Sequence, residues 1–342
     1  MTNLDADDSS ESHHDIIIIG GSSGALAPLK AIVRGLPADL QATVFVITHV
    51  SPEHESLLPD ILGNQGNLPV VTATHGAVSR RGYIYVAPPD FHLIIEAGFM
   101  RLWRGPKENH SRPSLNPTFR SAAKIYGKRV VAVILSGFLD DGTAGMIAVK
   151  RNHGVAIVQD PREAEIPDMP RNAMRYIEAD YVVPAAQIAP LLVKLTHEVI
   201  PETGAKSMPD SADKESIKVE RDIAELEAGE KTNGLTMIVC PDCGGPLWEF
   251  RNNGFKDFQC RVGHKFSPEN ILAHHAEVLE RALWVAVRTL DERASLTREM
   301  ANVARHTAGE EVIYKFENEA EEAARNAEII RRMLLNGEHQ HE

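Results

Sequence analysis

Three stretches of this chain end an apolar run on a residue able to move a proton or form a covalent bond. Ser22 lies in "IIIIGGSSGALAP", His49 closes "TVFVITHVSP", and Asp140 and Asp141 follow "VVAVILSGF". An imidazole, with a reference pKa near 6.5, removes a serine proton at neutral pH, and a carboxylate can fix its tautomer. Each residue also has a plainer use. Ser22 sits in a turn that could serve as a connection, a phosphate cradle built on helix N–H groups, or the seat of a nucleophile. His49 could be structural, and either aspartate could cap the helix that follows it. "GGSSGA" is none of G-x-G-x-x-G, G-x-x-x-x-G-K-[ST] or G-x-S-x-G, so the turn alone does not choose. The chain order Ser, His, Asp also differs from that of the α/β-hydrolases.

A second constellation lies in "CPDCGGPLWEF" and "FQCRVGHKF". Cys240 and Cys243 are two residues apart, Cys260 follows after sixteen, and His264 after three more. Three thiolates and one imidazole in two compact pairs suit a closed tetrahedral Zn²⁺ site, and Gly244 and Gly245 permit the knuckle. Four protein ligands leave no open position for zinc-assisted hydrolysis. Reduced, metal-free thiols and redox chemistry are the alternatives.

The elements that must position these groups follow from hydrophobic pattern. Near-continuous apolar runs predict strands at Ile16 to Ile19, Thr43 to Thr48, Tyr83 to Ala87, Val130 to Leu135 and Val155 to Val158. Such runs fit strands covered on both faces, hence a mostly parallel, doubly wound α/β sheet. Helical spacing is expected near Ala27 to Val33, His54 to Leu62, Asn116 to Tyr126, Gly142 to Arg151 and Ile188 to His197. "YIYVAPPDFHLIIEAGFMRLW" reads as strand, Pro-Asp turn, strand, an antiparallel excursion at the edge.

The expected organisation is a disordered lead-in (1–14), an α/β domain (15–200), a polar linker with a short helix at Ile217 to Glu227 (201–234), a zinc-ribbon-like module (235–268) and a helical hairpin (269–338) broken near Thr307 to Gly309. Its stripes are Leu272, Leu279, Leu283, Ala286, Val287 and Leu290, then Val312, Phe316, Ala320, Ala323, Ala327 and Ile330. The chain has 342 residues, 43% hydrophobic and 25% charged, with three cysteines. That composition excludes a disulfide framework, and no apolar run is long enough to span a bilayer. With no basic, apolar leader at the start, a reducing cytoplasmic location is expected. The net charge of -12 is concentrated after residue 200, where 27 acidic residues face 18 basic ones, so no nucleic-acid partner is expected.

Taken together, Gly20 to Ala25, "THVSP" around His49, "HSRPSLNPTFRSAA" (110–123), "LSGFLDDGTAG" (135–145) and "VQDPREAEIPDMPRNAM" (158–174) resemble the CheB-type protein-glutamate methylesterase domain in the expected order. The resemblance covers about residues 15 to 197. It implies Ser22 as nucleophile, His49 as base and Asp141 rather than Asp140 as orienting acid, with no catalytic cofactor. It implies hydrolysis of glutamate methyl esters on the helical cytoplasmic domain of chemotaxis receptors, with deamidation of receptor glutamines as a related activity. A backbone N–H near Phe138 would help hold the oxyanion, and Ser23 and Met169 would border the pocket, with Pro170 beside it. Arg112 and Arg120 are candidates for an acidic substrate surface, or else ordinary surface charges or helix contacts.

Three positions depart from the pattern, and at one of them Ala25 stands where glycine is usual. Phe138 and Leu139 stand where methionine and glycine are usual, and leucine would be strained there if φ is positive. The cysteine-containing tail resembles that of a subset of stand-alone CheB-type proteins lacking the phospho-receiver domain. It implies delivery to a receptor, methyltransferase or regulatory partner. A non-catalytic signalling scaffold and an α/β nucleotide-binding protein are the competing readings.

Overall fold

A computed structural model describes residues 12–52, 56–200, 234–252, 254–307 and 309–337. They fall into two compact units, divided between Asn270 and Ile271. The first is built on strands β1 (Ile16–Gly21), β2 (Thr43–Thr48), β3 (Val70–Thr72), β4 (Ile84–Val86), β7 (Val130–Ile134), β8 (Val155–Gln159) and β9 (Tyr181–Val183). These pair in the order β3-β4-β2-β1-β7-β8-β9, every neighbouring pair parallel.

The run of four isoleucines shows why this sheet needs helices on both sides. Successive strand side chains face opposite ways. Ile17 and Ile19 join Leu29 and Ile32 of α1 (Leu26–Gly35), Leu62 of α2 (Leu58–Gly63) and Leu192 of α6 (Ala185–His197). Ile16 and Ile18 join Leu115 and Phe119 of α3 (Leu115–Tyr126), Met146 of α4 (Thr143–Arg151) and Met169 of α5 (Asp168–Tyr176). All four are buried, each stabilising the fold by about 1.5–3 kcal/mol.

The antiparallel excursion exists, one element later than expected. Ile84–Val86 belongs to the parallel sheet, and the ribbon is β5 (His92–Ile95) with β6 (Met100–Trp103). Its turn uses Gly98 at φ 84°, whose N–H donates to Tyr126 Oη at 2.8 Å, so the Pro-Asp segment is a crossover and not the hairpin turn. The three-residue strands β3 and β9 and helix α5 were not expected. At the described end of the lead-in, His13 bridges to Val199, and the Ile200 N–H donates to Ser12 O at 2.8 Å. The helix expected at 217–227 and the linker at 201–233 lie outside the described residues.

The cysteine module is a four-stranded antiparallel sheet of β10 (Leu235–Val239), β11 (Pro246–Asn252), β12 (Phe255–Cys260) and β13 (Lys265–Phe266), within the first unit. Phe255 packs with Ala144 and Ile147 of α4 and meets the Tyr176 ring edge-on at 4.9 Å.

The second unit pairs the long helix Pro268–Thr307, from Ile271 onward, with the helix Glu310–Gly337, with ion pairs from Arg305 to Glu317 and Arg331 to Asp291. Side chains buried in it include Val287, Ala294, Thr297, Ala301 and Ala304 of the first helix and Ala320, Ala323 and Ala327 of the second. Leu272 and Leu279, expected in the seam, are 68% and 61% exposed.

Candidate active site

Ser22 and His49 leave neighbouring parallel strands at the same level, because Gly21 pairs with Thr48 in the β1–β2 register. Strand alternation carries both toward the face covered by α3. The Ser22 N–H donates to Ser136 O at 2.9 Å, which ties the serine to the end of β7. Among the described residues no hydrogen bond joins Ser22 to His49.

Asp141 is joined to His49. His49 Nε2 lies 2.8 Å from Asp141 Oδ2, and the same oxygen accepts the Leu115 N–H at 2.8 Å. Asp141 Oδ1 accepts Ser114 Oγ–H at 2.7 Å and faces Asn109 Nδ2 at 3.5 Å. Burial alone would push this carboxyl up, yet the hydrogen bond and charge of His49, with the Leu115 and Ser114 donors, hold it below the ordinary carboxylate range. It also stands at the N-terminus of the 12-residue α3, where the helix dipole favours an anion. An ionised carboxylate only accepts, so His49 Nε2 carries a proton and Nδ1 is left as the basic nitrogen.

Asp140 does not contact His49. Its Oδ1 accepts Ser267 Oγ–H at 2.7 Å and Asn270 Nδ2–H at 2.6 Å, while its buried Oδ2 has no partner among the described residues. Burial, only partly offset by the Ser267 hydrogen bond, pushes its pKa up to about 7. Its backbone carbonyl accepts the Thr143 N–H at the start of α4.

The loop beyond β7 crowds Ser22. A Cβ on Gly137 would lie 2.9 Å from Ser22 Cβ and 2.1 Å from Met169 Sδ. Buried Met169 donates its N–H to Gly137 O at 3.0 Å, and Pro170, also buried, follows it. Ser23 is exposed, and its carbonyl accepts Ser136 Oγ–H at 2.8 Å. Phe138 is 55% exposed, and Leu139 has φ 60°, the left-handed conformation that makes leucine costly there. Asn172 Nδ2 donates to Leu139 O at 2.7 Å and holds the turn.

The two arginines are engaged within the fold. Arg112 forks onto Asp90 and reaches Gly105 O. Arg120 pairs with buried Glu108 at 2.5 Å; burial would raise that carboxyl, but Arg120 and Lys265 hold it low. Sequence reading did not find Ser114 or Asn109 as partners of Asp141. Ser114 carried one signal, as a serine immediately before a helical pattern.

The sequence pattern of the CheB methylesterase family matches residues 17–192. The chain belongs to the CheB methylesterase family. A protein from Leptospira interrogans is 34% identical over 184 residues, covering 54% of this chain and 95% of that one. The protein-glutamate methylesterase/protein-glutamine glutaminase of Thermotoga maritima is 35% identical over 184 residues, covering 53% of this chain and 54% of its own length. The crystal structure of the Thermotoga maritima CheB methylesterase catalytic domain superposes with a TM-score of 0.52 at 34% identity, covering 53% of this chain and 98% of that one.

The cysteine module and the long helices lie beyond the CheB methylesterase match. Sγ of Cys240, Cys243 and Cys260 and a ring nitrogen of His264 lie within 4.8 Å of one another and could hold a metal ion. Cys243 and Cys260 sulfurs are 3.7 Å apart, and His264 Nδ1 is 3.7 Å from Cys240 Sγ and 3.4 Å from Cys260 Sγ. Such edges suit a tetrahedron with ligand bonds of about 2.0–2.3 Å. Burial pushes the Cys240 thiol up to about 12 and raises Cys260, so a dication binding there would displace their protons. Asp242 Oδ2 stands 3.9 Å from His264 Nε2, an electrostatic neighbour beyond hydrogen-bond reach. Among the described residues no helix is long and apolar enough to cross a membrane.

Proposed function

We propose that this chain is a protein-glutamate methylesterase that cleaves γ-methyl esters of glutamate on a helical receptor domain, with Ser22 as nucleophile, His49 as base and Asp141 as orienting acid. The observation that carries the reading is the His49–Asp141 hydrogen bond at the level where Ser22 leaves the neighbouring strand. The family membership and the relatives' printed names support the reaction class.

In the first half-reaction Ser22 Oγ attacks the ester carbonyl carbon while its proton passes to His49 Nδ1. The imidazolium is stabilised by Asp141. In this scheme the N–H groups of Ser23 and Phe138 hold the oxyanion. Collapse breaks the carbon–methoxy bond, and His49 returns the proton to the leaving oxygen as methanol departs. Water, deprotonated by His49, then attacks the acyl-enzyme carbonyl, His49 returns that proton to Ser22 Oγ as the acyl bond breaks, and the receptor glutamate is left as a carboxylate. A glutamine side chain would lose ammonia by the same sequence. Catalysis uses no cofactor in this scheme. The Cys₃His cluster takes a structural Zn²⁺, with all four ligands supplied by protein.

The setting consistent with this chemistry is the cytoplasm, within chemotaxis-type signalling. With Arg112 and Arg120 in ion pairs, recognition of an acidic receptor would need one of those pairs to open. The direct test incubates the full chain with a methyl-esterified receptor fragment and measures methanol. Release of methanol with recovery of the glutamate side-chain carboxylate in the fragment supports an esterase, whereas fragment binding without methanol supports the scaffold reading.

A further inference from the structure

The cysteine module bears on the acid end of the catalytic group. The hinge of the contact is Asn109, in the loop between β6 and α3. Its N–H donates to Lys265 O at 2.9 Å, and its Oδ1 accepts the Ser267 N–H at 3.2 Å. With Oδ1 committed to an N–H donor, the amide can present only Nδ2 to Asp141 Oδ1, at 3.5 Å. Ser267, 158 positions further along the chain, therefore decides which way that amide points, and Lys265 holds the backbone that carries it.

The loop itself is held in an unfavourable conformation. Asn109 and His110 are consecutive non-glycine residues with φ 50° and 60°, each costing on the order of 1 kcal/mol or more. The module supplies the compensating contacts. Phe266 packs against the His110 ring at 4.9 Å, Asp242 Oδ1 lies 3.1 Å from His110 Nδ1, and Lys265 bridges to Glu108. From the other side buried His92 fastens the loop. Its Nδ1 accepts the Ser114 N–H at 3.3 Å and its Nε2–H donates to Pro106 O at 2.9 Å. Ser114 and Asn109, two of the four donors around Asp141, thus belong to one loop clamped between His92 and the module.

The second arm reaches the neighbouring aspartate. Ser267 Oγ–H and Asn270 Nδ2–H both end on Asp140 Oδ1, and Ser267 Oγ also receives the Asn270 N–H at 3.2 Å. This fixes the backbone immediately before Asp141.

We infer that residues 265–270 are part of the active-site scaffold: Ser267 and Asn270, acting through Asn109 and Asp140, position the Asp141 carboxylate against His49. The inference rests on the proposed roles of His49 and Asp141. Ser267, Asn270 and Asn109 are positioning residues and touch no substrate. They set the geometry in which the imidazolium is stabilised, so their loss lowers kcat and leaves substrate affinity alone.

The test uses the full chain and the variants Asn109→Ala, Ser267→Ala and Ser267→Thr. It reads methanol release for kcat and KM, fluorophosphonate labelling of Ser22, and the NMR resonance of the His49 Nε2 proton. Asn109→Ala, which removes one donor from Asp141, and Ser267→Ala, which removes the hydroxyl bond to Asp140 and keeps the N–H to Asn109, are each expected to lower kcat by about 3–10-fold with KM within about twofold. Both should shift or broaden the His49 proton, and Ser267→Thr, which keeps the hydroxyl, should restore rate and resonance. Folded Asn109→Ala and Ser267→Ala proteins with wild-type kcat and an unmoved His49 proton would overturn the inference. If Asn109→Ala does not fold, the Ser267 pair decides by the same readouts. A wild-type chain that neither releases methanol nor labels at Ser22 refutes the esterase reading instead, and the His49 resonance still decides the positioning claim.

Discussion

His49 Nε2 and Asp141 Oδ2 lie 2.8 Å apart, and the adjacent Asp140 takes no part in that contact. Two neighbouring carboxylates of one sequence thus have different surroundings: one saturated with donors beside an imidazole, the other buried with one oxygen unpartnered.

Replacing each with asparagine separates them. Asp141→Asn puts an amide where His49 Nε2–H needs an acceptor and is expected to lower kcat by about 10³–10⁴-fold. Asp140→Asn keeps Oδ1 as acceptor for Ser267 and Asn270 and should cost no more than about tenfold. Steady-state methanol release by the two proteins checks the order, and equal losses would contradict it.

Stability should depend on pH through Asp140. Its folded pKa is raised to about 7 from 3.8, so between those values the folded chain holds a proton that the unfolded chain has released. Its contribution to unfolding free energy therefore falls as pH rises from about 4 to about 7, and changes little above that. The span is at most on the order of 4 kcal/mol. His92, lowered chiefly by burial, acts in the opposite sense, weakening the fold as pH drops below about 6.5. Denaturant unfolding of wild type and Asp140→Asn at pH 5 and 8 isolates the aspartate, and the variant's relative stability should be greater at pH 8.

The left-handed φ of Leu139 makes a local prediction. Leu139→Gly should be more stable than Leu139→Ala by about 1 kcal/mol, because only glycine takes that conformation without strain. Thermal or denaturant midpoints of the two variants provide the comparison, and an alanine variant as stable as the glycine one would remove the argument.

Metal content tests the Cys₃His cluster. The full chain should bind one Zn²⁺, and its Co²⁺ form should show thiolate-to-metal absorption with tetrahedral d–d bands. Cys260→Ser should weaken binding by at least about 100-fold. Zinc-free protein with unchanged protection of residues 234–266 against hydrogen exchange would argue against a structural metal.

Much of the sheet was legible because Ile16 to Ile19 and Val130 to Ile134 are apolar on both faces, which leaves a buried parallel strand as the economical reading. Val70–Thr72 and Tyr181–Val183 were not, since three-residue edge strands carry too little pattern. Helix α5 was hidden by Pro167 and Pro170 around its first turn. In the long helices, periodicity offered both a leucine stripe and an alanine seam. The buried seam is built mainly of alanines, and Leu272 and Leu279 precede the stretch that the second helix faces, since Asp291 already pairs with Arg331 near that helix's end. The spacing of Cys240, Cys243, Cys260 and His264 was legible as a ligand set. The contacts from Ser267 and Asn270 to Asp140 were not, because they join residues 127 and 130 positions apart without any local signature.

The most direct test of the central claim is reaction of the full chain with a fluorophosphonate and with a methyl-esterified receptor fragment, in wild type and Ser22→Ala. The account predicts a phosphonate adduct mapped to Ser22 in wild type, and loss of both adduct and methanol release in a Ser22→Ala protein that unfolds at the same denaturant concentration. Methanol release undiminished in Ser22→Ala would contradict it.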